Sequence, residues 1–186
     1  MRTKPQDDDH VGFSGWRLLG LGFWQAWWMI SMCTDVLLPT TDRFPFAGNT
    51  TLWVLVLTTV GYLVVVALAR RLSPFLTHRA SFLAAGGLTA AGTVTLPIAL
   101  TLGSGAAGFA WFLAGTVSLS LGNALLLIMW GELWSALATG RVGRHLYVSY
   151  TFAFVLFFVA YALPEAAAVA FTAALPIVSA AVLVAC

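Results

Sequence analysis

The sequence predicts an all-α integral membrane protein of six transmembrane helices, with both ends of the chain on the cytoplasmic side. Three observations predict this. Six long apolar stretches divide the 186 residues, with Pro, Gly or charged residues in every gap. The chain is 60% hydrophobic and only 9% charged, too little charge to cover a water-soluble surface of this size. The basic residues fall in alternate gaps. Arg2, Lys4 and Arg17 precede the first stretch, Arg70, Arg71 and Arg79 follow the second, and Arg141 and Arg144 follow the fourth. That places eight of the 9 Lys and Arg on one side, with Arg43 alone opposite. The positive-inside rule puts the eight in the cytoplasm.

Residues 1–15 read as a polar cytoplasmic tail. The first span covers about 16–38. It is too long and too apolar for a cleaved signal core, so it stays in the protein. Pro39, Pro45 and Gly48 mark the next connection. The second span covers about 51–69 and ends on Arg70-Arg71. Pro74 and His78 lie in the following loop, and the third span covers about 80–102. Its run of small residues (Ala84, Gly86, Gly87, Ala90, Ala91, Gly92) predicts close helix packing, because small side chains let two backbones approach. Gly103, Gly105 and Gly108 form an uncharged turn. The fourth span covers about 109–130 and continues as interfacial helix to Ala138. Arg141, Arg144 and His145 mark a loop. The fifth span covers about 146–163, Pro164-Glu165 make a corner, and the sixth covers about 166–186. Unbroken apolar runs of this length are helices, since a barrel strand would be shorter and would alternate in polarity. Trp16, Trp53, Trp111, Trp130 and Trp134 fall at predicted boundaries, where an apolar ring with an N–H is favoured.

The balance of +2 is not a nucleic-acid signal, because the cations flank apolar segments and form no patch. Cys33 and Cys186 form no CxxC pair and read as buried, inert thiols. His10, His78 and His145 fall in tail or loop segments with no ligand set around them. Neither a metal site, a cofactor motif nor a nucleophile–base set is visible, and no enzyme activity is expected.

Polar groups inside a membrane are costly and are therefore candidates for function. In the first span Trp24, Trp27, Trp28, Ser31 and Asp35 share one helical face, and Gln25 lies beside them. The face reads either as the wall of a ligand cavity, through stacking and cation–π contact, or as packing against neighbouring helices with Asp35 at headgroup depth. Asn123 is the polar residue of the fourth span, suited to bridging helices or holding a ligand. Glu132 lies at interface depth, where an ion pair with Arg141 or Arg144 is expected.

Three segments carry a family resemblance: GFWQAWWMIS (Gly22 to Ser31), LLLIMWGELWSALATGRVGRHLYVSY (Leu125 to Tyr150) and FAFVLFFVAYALP (Phe152 to Pro164). The chain resembles the N-terminal membrane half of LuxR-type helix-turn-helix regulators of Eggerthella-like actinobacteria. That membrane module is itself similar to major facilitator superfamily transporters. The resemblance implies a six-helix half bundle made of two three-helix units of inverted topology, a small-molecule ligand, and a sensory role in the inner membrane. It also implies a partner for the bundle, either a second membrane half beyond Cys186 or a second copy of the chain. DNA binding is not expected of these residues. The loop RRLSPFLTHR (Arg70 to Arg79) lacks the Gly and Asp of the facilitator signature, and GRVGR (Gly140 to Arg144) echoes it in a different loop. A half-size transporter working as a homodimer, or a membrane anchor without signalling, are the other readings the sequence leaves.

Overall fold

A computed structural model describes residues 19–34, 36–37, 50–103, 105–135 and 139–185. The side chains of residues 50, 51, 70, 72 and 139–141 are outside that description. Six α-helices follow one another: α1 (Gly20–Cys33), α2 (Thr50–Leu72), α3 (Arg79–Thr101), α4 (Ala106–Ser135), α5 (Thr139–Ala162) and α6 (Glu165–Val184), with a 3-10 turn over Phe75–Thr77 before α3. No strand occurs among the described residues. Five of the helices, α2 to α6, are long and apolar enough to cross a bilayer. The described part of α1 has 14 residues, about 21 Å at the helical rise, shorter than the expected span of 16–38.

Helix α4 runs for 30 residues, about 45 Å, longer than a hydrocarbon core of about 30 Å, in keeping with the expected continuation beyond residue 130. One boundary differs from expectation. Helix α5 begins at Thr139, so Arg141, Arg144 and His145 stand on its first turns and not in a loop. No proline interrupts this segment, and Arg and His are compatible with the first turns of a helix. His145 is 1% exposed, packed between Trp130 and Trp134 with ring centroids 5.7 and 6.4 Å away.

The packing follows a simple rule. Helix α1 packs against α5 and α6, α4 packs against α2 and α3, and α3 packs against α6. Exchanging α1 with α4, α2 with α5 and α3 with α6 maps these contacts onto themselves. The centre is α1, with eight of its 14 residues buried, and α3, α4 and α6, of which 44%, 56% and 50% of the spans are buried, whereas α2 and α5 are peripheral at 22% each.

Small residues set the close approaches in the centre. A Cβ on Gly92 would come within 2.6 Å of Leu119 and of the Gly115 carbonyl on α4. One on Gly86 would reach 3.0 Å from Ala180 on α6. Gly87, on the same run, has nothing within 4 Å and contributes no such contact. Gly103, at φ +74°, takes the left-handed backbone that ends α3, a conformation open to glycine without strain.

Large apolar and aromatic side chains make up most of the exposed surface of α2 and α5. On α5, Tyr147, Tyr150, Phe154, Phe158 and Tyr161 are all exposed and fall on one helical face. Trp53 and Trp111 are exposed, as interfacial residues would be, whereas Trp130 is fully buried and belongs to the core. Cys33 is exposed and not buried as its apolar setting suggested; Cys186 lies outside the described residues.

Candidate functional site

The polar groups of the bundle interior are arranged around α1 and α4. Asn123 is fully buried on α4. Its Oδ1 accepts the indole N–H of Trp24 on α1 at 2.7 Å, and its Nδ2 donates to the Tyr62 hydroxyl on α2 at 3.1 Å. One carboxamide thus ties three helices together. Trp24 and Tyr62 are only half-buried, so this trio reaches the edge of the bundle. Trp28, one turn beyond Trp24 and also half-buried, extends the aromatic face. One turn before Asn123 on the same helix, the Ser120 hydroxyl lies 3.2 Å from that of Thr58 on α2.

Trp27 lies deeper. It is fully buried and donates its indole N–H to Thr93 Oγ1 on α3 at 2.9 Å. Thr93 in turn donates to the Thr89 carbonyl at 2.7 Å, so the hydroxyl is used in both directions. Trp130 on α4 repeats the arrangement, donating to Ser179 Oγ on α6 at 3.1 Å. In each trio of helices, the first carries a buried indole that donates to a hydroxyl on the third.

The remaining candidates separate from this cluster. Ser31 Oγ donates to the Trp27 carbonyl of its own helix at 2.7 Å. Gln25 is 4% exposed and its Oε1 accepts no hydrogen bond among the described residues. At about 100° per residue it points away from the Trp24 direction, so it is not part of the Asn123 trio. An unmet buried acceptor costs about 1–3 kcal/mol. Asp35 lies outside the described residues.

Glu132 has partners other than those expected. Its Oε1 accepts from Ser73 Oγ and from the Phe75 backbone N–H, both at 3.0 Å, and its Oε2 accepts from the Leu76 N–H at 3.1 Å. The carboxylate therefore fastens the α2–α3 connection to the end of α4. Among the described residues no ion pair joins it to Arg144; the Arg141 side chain lies outside them. Two backbone donors on a fixed turn answer a carboxylate as well as a mobile guanidinium does, without the entropy cost of ordering a long side chain. Trp134 next to it donates to His145 Nδ1 at 3.1 Å, closing α4 onto α5.

Sequence reasoning missed Tyr62, Thr93, Ser179 and His145. A tyrosine within an apolar span was the available signal for Tyr62, since a phenol at that depth needs a partner. Thr89 and Thr93, and Thr116 and Ser120, each four residues apart, were the signal for the hydroxyl tracks on α3 and α4. Among the described residues no group of three or more His, Cys, Asp or Glu could hold a metal. Compared with models of known families, with curated proteins and with solved structures, the chain finds no significant match.

Proposed function

We propose that this chain is the membrane-embedded sensory module of a LuxR-type regulator, shaped like one half of a major facilitator transporter. It binds a small aromatic or cationic molecule against Trp24, Trp28 and Tyr62, with Asn123 as the buried polar anchor. The observation that carries this reading is the Trp24–Asn123–Tyr62 trio. It sets two half-buried aromatic rings and a carboxamide at the edge of an apolar bundle, where α1, α2 and α4 meet. A ligand entering there competes for hydrogen bonds that now join three helices. Its binding is therefore coupled to how those helices sit, which is what a sensor requires.

The half-transporter shape is supported by the exchange rule of the packing and by the twin indoles of α1 and α4. Six successive crossings alternate in direction, so exchanging α1 with α4 inverts one trio relative to the other. The distribution of arginines supports an orientation with both ends in the cytoplasm of a bacterial inner membrane. In this proposal DNA is read by a helix-turn-helix outside these residues, and this chain touches no nucleic acid. The module needs a partner half or a second copy against α2 and α5.

Isothermal titration of the purified protein with indole, tryptamine and tetraethylammonium tests the site. Binding of one of them, weakened at least about tenfold by Asn123→Leu and by Trp24→Ala, supports it. Affinity unchanged in both variants contradicts it. A second reading, a transporter acting as a homodimer, is favoured by the hydroxyl-bearing exposed face of α5 (Tyr147, Tyr150, Tyr161), which suits a partner helix better than lipid. Uptake of the bound compound into sealed proteoliposomes would decide for transport.

A further inference from the structure

Residues of α2, α3 and α4 line an apolar groove of about 470 Å³. Val64 and Leu68 of α2, Ala84 and Leu88 of α3 and Leu125 of α4 form its walls, and His78 stands at its end. From His78 to Leu88 the groove follows ten residues of chain, about 15 Å at the helical rise. That is the shape of an extended hydrocarbon chain lying parallel to the helices.

The two ends of the groove differ. Apart from His78 and Ser81 the lining is apolar. The end at the α2–α3 connection carries His78 and, beside it in sequence, the exposed Arg79. Val64, Leu68 and Arg71 are spaced by four and three, so the exposed Arg71 continues the α2 wall towards the same end. Glu132, the carboxylate packed on this connection, is not in the lining, and both of its oxygens are held by Ser73, Phe75 and Leu76. Neither arginine lines the groove itself; both are exposed and flank, in sequence, the end where His78 stands.

We propose that this groove is a binding site for an anionic phospholipid. One acyl chain lies between α2 and α3, and the phosphate meets Arg71, Arg79 and His78. The apolar walls alone would take any hydrocarbon, and the cations select the headgroup. This site is separate from the Asn123 trio and does not depend on the sensory reading.

Native mass spectrometry of the full chain in detergent tests it. The probes are dimyristoyl phosphatidylglycerol, dimyristoyl phosphatidylcholine and myristic acid, offered at equal concentration. The expected result is retention of phosphatidylglycerol at least about threefold above either of the others. Arg71→Gln with Arg79→Gln, both on the surface, lowers phosphatidylglycerol to the phosphatidylcholine level. Leu88→Trp, and independently Ala84→Leu, lowers phosphatidylglycerol by a similar factor through filling of the groove. Equal retention of all three probes by the native chain overturns the proposal. So does a phosphatidylglycerol preference that survives the arginine pair, or one that survives both groove-filling variants.

Discussion

Trp24 and Asn123, ninety-nine residues apart, are joined by a 2.7 Å hydrogen bond between the first and fourth helices. The carboxamide passes the connection on to Tyr62 on the second. In a bundle whose helices are all apolar, lipid offers no reason for one pair of faces to be preferred over another, and such polar contacts select the register. Asn123→Leu removes both bonds and leaves an indole N–H and a phenol without partners. We expect a loss of about 1–2 kcal/mol, read as a lowered melting temperature in detergent. Asn123→Gln, which keeps the chemistry but moves it by one methylene, loses less.

The twin indoles predict matched costs. Trp27→Phe and Trp130→Phe each delete one interhelical hydrogen bond while keeping most of the ring. Each variant loses about 0.6–2 kcal/mol of stability. Because Trp27–Thr93 and Trp130–Ser179 share no partner, the double variant should show the sum to within about 0.5 kcal/mol. Steric-trap or thermal unfolding of the four proteins measures this.

Glu132 predicts a local effect. With Glu132→Ala, the Phe75 and Leu76 amides lose their acceptor. Amide hydrogen exchange over Phe75–Thr77 should accelerate at least about tenfold, corresponding to about 1.4 kcal/mol, while α6 is unchanged. Glu132→Gln retains one carbonyl oxygen and should fall between. Arg144→Gln should leave exchange in this turn as it is.

The glycines of α3 predict opposite signs for one kind of change. Gly92→Ala places a methyl group within 2.6 Å of the Gly115 carbonyl and of Leu119, so α3 and α4 must separate, and we expect a loss of about 1–3 kcal/mol. Gly87→Ala meets nothing within 4 Å and gains helix propensity of about 0.5–1 kcal/mol. Melting temperatures of the two variants should move in opposite directions.

The helices α2 to α6 were legible because lipid demands long uninterrupted apolar runs, and such runs cannot be hidden in a sequence. The start of α5 was not legible. Arg141 and Arg144 end the apolar pattern, yet the helix includes them, because charged residues are tolerated in the first turns of a helix. The site was legible in its first half only. Asn123 and Trp24 stand out as polar or amphipathic groups in apolar spans, but nothing local says that they meet each other. The pairing depends on which faces of α1 and α4 are turned inward. Glu132 shows the same limit from the other side. Its nearest cations in sequence suggested an ion pair, whereas its actual partners include backbone N–H groups, which every residue but proline carries and which no sequence pattern advertises.

We propose a bundle that threads lipid with every Lys and Arg but Arg43 on the cytoplasmic side. Single cysteines at Thr77, Gly105 and Glu165, in a chain with Cys33 and Cys186 replaced by Ala, test it most directly. With a membrane-impermeant maleimide on intact cells, Gly105→Cys and Glu165→Cys should label at once, and Thr77→Cys only after permeabilisation. Labelling of Thr77→Cys from outside intact cells, or protection of both others, would contradict it.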